Sequence, residues 1–126
     1  MKFLHSMIRV SDPAATVAFF QLLGLEERRR MDNEAGRFTL IFLGVPGDEG
    51  GEIELTHNWD RTEPYELGTG FGHLAIGVAD IYGTCESLAA AGVKVPRPPG
   101  PVKGGTTVIA FIEDPDGYKI ELIDRL

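Results

Sequence analysis

Apolar and polar positions along this chain change period several times, and each change marks an element. Over residues 4–10 a strand alternation places His5, Met7 and Arg9 on one face. Ser11-Asp12-Pro13 then reads as a helix start, with a capping side chain followed by Pro at the first helical position. Val17, Phe20 and the Leu22/Leu23 pair form the apolar stripe of that helix, and Gly24 stands where it ends. Strands follow over about residues 25–31, 38–43 and 52–58, separated by turn chemistry at 32–36 and a glycine-rich loop at 44–51. The order is β-α-β-β-β. Residues 59–71 lack periodicity and read as a linker, with Trp59 and Tyr65 as packing anchors.

The same order then recurs. A strand over 73–78 leads to a helix capped by Asp80, with Ile81, Cys85 and Leu88 at i, i+4 and i+7, and Gly92 to end it. A short strand at 93–95 precedes residues 96–105, where four prolines predict a long, stiff loop. Strands at about 107–112 and 118–123 flank the turn Asp114-Pro115-Asp116-Gly117. Overlaying the halves aligns His5 with His73, Val10 with Val78, Asp12 with Asp80 and Gly24 with Gly92. Each half closes on an apolar strand with a glutamate inside it, Ile53-Glu54-Leu55 and Ile120-Glu121-Leu122, 49 residues after His5 and 48 after His73. A repeat this long is a duplicated module, not a solenoid period. The reading is an α+β chain of two tandem βαβββ modules, 1–58 and 72–126, joined by 59–71 into one compact domain.

Composition narrows the function. A net charge of −7 argues against a protein that tracks nucleic-acid phosphates, and Arg28-Arg29-Arg30 reads as a solvated strand edge. The single cysteine, Cys85, excludes an intrachain disulfide and sits in a helix pattern as a small buried side chain. No apolar run reaches membrane-spanning length, and the first residues lack a signal peptide's apolar core. The expectation is a soluble, cytoplasmic protein without nucleic-acid or membrane partners.

The chemistry lies in the repeated histidines and glutamates. Glutamate is disfavoured in strands, and burying its charge is costly without compensation. Alternation separates Glu54, Thr56 and Asn58 from Ile53, Leu55 and His57, so the glutamate face can line a cavity while the other meets helices. Two imidazoles and two carboxylates suit a divalent metal such as Ni, Co, Fe, Mn or Zn. An octahedral ion would keep two positions open for substrate oxygens, polarising a carbonyl while a Glu takes a proton. His57, on the opposite parity, reads as structural or exposed.

The chain resembles glyoxalase I (lactoylglutathione lyase) of the vicinal-oxygen-chelate superfamily over nearly its whole length. The resemblance is carried by Leu4-His5-Ser6-Met7-Ile8-Arg9-Val10, by Ile53-Glu54-Leu55-Thr56-His57-Asn58-Trp59, by Tyr65-Glu66-Leu67-Gly68-Thr69-Gly70-Phe71-Gly72-His73, and by the stretches 101–111 and 113–122. It implies an enzyme of methylglyoxal detoxification, isomerising the methylglyoxal-glutathione hemithioacetal to S-lactoylglutathione through an enediolate. His5, Glu54, His73 and Glu121 match the family's metal ligands, and Glu121 and Glu54 its proton-moving groups. Arg9 and Asn58 match positions that hold glutathione, with Arg97 and Lys103 as further carboxylate contacts. The resemblance also implies a homodimer whose sheets form barrels, with His5 and Glu54 from one chain and His73 and Glu121 from its partner. The short bacterial type favours Ni2+, with Co2+ and Zn2+ as the other fits. Thr69, four residues before His73, departs from the longer zinc-type enzymes, which carry Arg there, and His57 stands where Tyr is frequent.

Other readings share the fold. Dioxygenases and fosfomycin-modifying transferases use three protein ligands, whereas four are present here. An acyl-coenzyme A epimerase often carries Gln at the first glutamate, and Glu54 is intact. A non-catalytic drug-binding protein of the bleomycin-resistance type fits the acidic charge but leaves the His/Glu set without a purpose.

Overall fold

The computed structural model describes residues 1–126 and divides them into two units, Met1–Glu66 and Leu67–Leu126. The first holds β1 (His5–Arg9), α1 (Pro13–Leu22), β2 (Glu26–Asn33), β3 (Phe38–Gly44) and β4 (Glu52–Asn58). The second holds β5 (Leu74–Val78), α2 (Ile81–Ala90), β6 (Lys94–Pro101), β7 (Val108–Glu113) and β8 (Lys119–Asp124). Both modules have the βαβββ order read from the sequence.

Each unit forms one four-stranded sheet, ordered β1-β4-β3-β2 and β5-β8-β7-β6. The helical crossover makes β1 parallel to β4 and β5 parallel to β8, while the remaining neighbours are antiparallel. The expected barrels are not formed: both sheets are open, with β1 and β2, or β5 and β6, at opposite edges. Four strands curl too little to bring the edges together, since closed barrels generally need about eight.

Strand parity sorts the side chains. In the first unit Ile8, Val10, Ile41, Leu43 and Leu55 are buried, together with Phe19 and Phe20 of α1. In the second, Ala110, Ile112, Ile120 and Leu122 are buried together with Ile81, Cys85 and Leu88 of α2. The α1 stripe runs through Thr16, Phe19 and Phe20, while Leu22 is 53% exposed, so the stripe lies about one residue from its sequence reading. Thr16 tolerates burial because its hydroxyl donates to the Asp12 carbonyl at 3.2 Å.

The helix ends follow their sequence signals. Asp12 Oδ1 accepts from the Ala15 amide and Asp80 Oδ1 from the Gly83 amide. Gly24 and Gly92 take φ of +87° and +88°, and the next amides, Leu25 and Val93, return to the carbonyls of Phe20 and Leu88.

The proline-rich stretch departs from expectation. Lys94–Pro101 is an edge strand with register shifts on either side of Arg97, not a loop. Prolines cannot donate to a ladder, which confines them to such an edge. Arg97 supplies replacement donors: its guanidinium bonds the carbonyls of Pro98, Gly100, Pro101 and Ile109 at 2.6–3.2 Å.

Candidate metal centre

Glu54 sits near the middle of β4, opposite Met7 of β1 and Phe42 of β3. Its parity points it away from Leu55 and the helix, yet the residue is only 9% exposed. His5 accounts for this: its Nε2 lies 2.6 Å from Glu54 Oε2. Phe42 packs edge-on against the His5 ring at 5.7 Å, and Arg29 lies over Phe42 with its guanidinium carbon 3.9 Å from the ring centroid.

A register shift between Glu27 and Arg29 lets two successive arginines reach one carboxylate. Arg29 bonds Glu52 through two nitrogens at 2.9 Å each, and Arg28 Nη1 approaches it at 3.5 Å. The Arg29 bonds hold the Glu52 carboxyl below its ordinary pKa and raise that of Arg29. Arg28 also donates to the carbonyls of Val45 and Asp48, and a Cβ on Gly44 would collide with its guanidinium. Arg30 pairs with Glu27 at 2.6 Å. The arginine run is thus a network of ion pairs and carbonyl contacts.

The second unit repeats the arrangement. His73 Nε2 lies 2.8 Å from Glu121 Oε2, and Phe111 packs edge-on against the imidazole at 5.3 Å. Across the sheet, Ala75, Glu121, Phe111 and Arg97 stand in one row, as Met7, Glu54, Phe42 and Arg29 do in the first. Overlay of the halves could have revealed the aromatic partners, since Phe42 and Phe111 also fall at nearly the same offset from their histidines.

These pairs fit a divalent metal. Two ligand atoms each about 2.1 Å from an ion and at right angles lie about 3 Å apart, close to the His–Glu separations. Imidazole nitrogen with carboxylate oxygen is a donor set of intermediate hardness. Within the chain these histidines and glutamates stand as pairs, and no three His, Cys, Asp or Glu residues gather into a group that could hold an ion.

At the far ends of β1 and β4 is a cleft of about 390 Å³ lined by Arg9, Asn58, Arg61, Glu63, Pro64, Tyr65 and Glu66. It brings together Arg9 and Asn58, from the ends of neighbouring strands, with the segment that follows β4. The Asn58 amide donates to the Tyr65 hydroxyl at 3.1 Å. Trp59, the other expected anchor, donates to Thr39 Oγ1 at 2.8 Å. Of the two weaker candidates, Arg97 is engaged with backbone carbonyls, and Lys103 is exposed just beyond β6. His57 approaches the Val10 carbonyl through Nδ1 at 3.2 Å, a structural contact. Cys85 is buried, and desolvation raises its thiol pKa, the opposite of nucleophile activation.

With this fold and this duplicated His/Glu arrangement, the chain belongs to the Glyoxalase/Bleomycin resistance protein/Dioxygenase superfamily, which matches residues 2–122. Within it, the chain is 55% identical over 125 residues to a probable lactoylglutathione lyase of Synechocystis sp., covering 98% of this chain and 95% of that protein. It is 53% identical over 127 residues to the lactoylglutathione lyase of Haemophilus influenzae, covering 99% and 93%. The crystal structure of glyoxalase I from Zea mays superposes with a TM-score of 0.91 at 43% identity, covering 98% of this chain and 44% of that one. This chain therefore spans less than half of the maize protein. No helix is long and apolar enough to cross a membrane.

Proposed function

We infer that this chain is a metal-dependent lactoylglutathione lyase. It isomerises the methylglyoxal-glutathione hemithioacetal to S-lactoylglutathione by moving a proton between adjacent carbons. The duplicated His–Glu pair carries this reading, because a lone pair would be an ordinary ion pair whereas two at matching positions supply four ligands. His5, Glu54, His73 and Glu121 are the proposed ligand set. A divalent ion held there would supply Lewis-acid polarisation of the substrate oxygens and stabilise negative charge developing on them.

The remaining work falls to the chain. Glu121 and Glu54 each present a carboxylate oxygen beside an imidazole, and these are the groups that accept and return the proton, one for each face of the substrate. The rings of Phe42 and Phe111 hold the imidazoles edge-on and shield one side of each pair from water.

Arg9 lies four residues beyond His5 and Asn58 four beyond Glu54, on matching strand faces, so the cleft begins about 13 Å along the sheet from the pair. An extended tripeptide spans about 10–11 Å. The remaining ~2–3 Å is within the length of an arginine side chain, so Arg9 can meet the charged terminus of glutathione, with Asn58 beside it and Lys103 as a contact from the segment that Arg97 braces.

The active species in this reading is a homodimer in which His5 and Glu54 of one chain are completed by the partner's His73 and the partner's Glu121. Exposed Phe3, Leu4 and Met7 beside the first pair support it, as apolar surface suited to burial against a second copy. Nickel is the favoured metal and cobalt the next, a reading supported by a length close to that of the bacterial relatives. The test is turnover of the hemithioacetal by metal-stripped protein reloaded separately with nickel and with zinc. Recovery with nickel and not zinc is expected. Recovery with zinc alone would replace the metal assignment, and inactivity of both loaded forms would overturn the function.

A further inference from the structure

Asn58 ends β4 at the mouth of the cleft, where a free amide side chain would rotate among several orientations. It is not free. Its Nδ2 donates to the Tyr65 hydroxyl at 3.1 Å, which directs the acceptor end, Oδ1, away from Tyr65.

Tyr65 is itself braced. The Arg61 guanidinium carbon lies 4.2 Å from the centroid of the Tyr65 ring, a stacked cation–π arrangement. The same guanidinium donates through Nε to the Glu63 carbonyl and through Nη2 to the Pro64 carbonyl, at 3.0 Å each. A planar fork can make both bonds and present a face to the ring, whereas an ammonium cannot. Arg61 therefore closes residues 61–65 into a fixed turn that forms one wall of the cleft, and both Arg61 and Tyr65 line it. The Arg61 amide also returns to the Asn58 carbonyl at 3.3 Å, tying the turn to the strand end it serves.

We propose that Tyr65, braced by Arg61, is a positioning residue for Asn58 that sets the affinity of the cleft for the thiol portion of the substrate. This rests on the lactoylglutathione lyase reading. Fixing a side chain before the ligand arrives removes an ordering cost from binding, so the effect belongs to ligand affinity more than to proton transfer.

The experiment uses metal-loaded protein and two probes: the methylglyoxal-glutathione hemithioacetal for turnover, and S-methylglutathione, which cannot react, for calorimetric Kd. Tyr65→Phe keeps the ring and removes only the hydroxyl. It should raise KM and the S-methylglutathione Kd by about three- to tenfold, the range of one net hydrogen bond, with a smaller fall in kcat. Arg61→Ala should act in the same direction and Arg61→Lys should not restore the loss. The Tyr65→Phe/Asn58→Ala double variant should bind no worse than Asn58→Ala alone, because both remove one relay. The side-chain amide resonances of Asn58 should shift in Tyr65→Phe and in Arg61→Ala without ligand. Additive losses in the double variant, or an unchanged Kd in Tyr65→Phe while wild type binds and turns over, would overturn this inference alone. A wild-type protein that neither binds S-methylglutathione nor turns over the hemithioacetal would overturn the functional reading, and this inference with it.

Discussion

Arg29 and Arg97 occupy the same register position in the two sheets, each paired across its strand with the phenylalanine that neighbours the site glutamate. Their guanidiniums do different work. Arg29 lies over Phe42 and forks onto Glu52, while Arg97 bonds three carbonyls of its own strand and that of Ile109 in β7. Proline content explains the divergence, since β2 has a full set of backbone donors and β6 lacks four.

From this follows a stability contrast. Arg97→Ala should destabilise the chain by about 1–3 kcal/mol, because half-buried carbonyls of β6 and β7 lose their donors. Arg97→Lys should recover little of it, as one ammonium cannot reproduce the fork. Arg29→Ala should cost less, being an exposed pair in high dielectric. Urea unfolding midpoints of the three variants check the order, and a larger loss in Arg29→Ala would contradict it.

Glu121→Gln should keep the fold and lose turnover by roughly 10²–10⁴-fold, since an amide ligates weakly and cannot accept the proton. Circular dichroism, metal content and kcat on the hemithioacetal decide the matter together. Near wild-type turnover would remove Glu121 from the mechanism.

Arg9→Ala should raise KM by about tenfold or more with a smaller effect on kcat, as expected for a group that binds substrate and transition state alike. The reverse split, measured by steady-state kinetics, would place Arg9 at the chemistry.

Asp114 offers a pH test away from the site. It is 5% exposed, its Oδ1 accepts from the Asp116 and Tyr118 amides, and its Oδ2 has no partner. Burial raises its pKa from 3.8 to about 6. The folded chain thus holds this proton more tightly than the unfolded chain. The associated stability is full below pH 3.8 and is lost as pH rises through about 6. Asp114→Asn keeps the Oδ1 acceptor and removes the titration. Wild type should lose roughly 3 kcal/mol relative to this variant between pH 3.5 and 7.5. Parallel unfolding free energies across that range would show that Asp114 does not titrate there.

Periodicity and a duplicated pattern determined most of the architecture. The two βαβββ modules, both helix caps, the α2 stripe and the His5/Glu54 and His73/Glu121 correspondences were all legible, because each depends on local spacing or on comparing two halves of one chain. Parity also placed Arg9 on the strand face of His5 and Asn58 on that of Glu54. What strand neighbours do to one another was not legible. Open sheets in place of barrels depend on how far four strands curl, and the proline-rich edge strand depends on donors that Arg97 turns back onto carbonyls of its own strand and across to Ile109 of β7. The Arg28 and Arg29 grip on Glu52 needs a register shift that composition does not mark. Tyr65 was visible as an anchor, but its bond to Asn58 and its brace by Arg61 arise only when the segment after β4 folds back along the strand end. Spacing along the chain determines which residues share a face, while tertiary folding decides which of them meet.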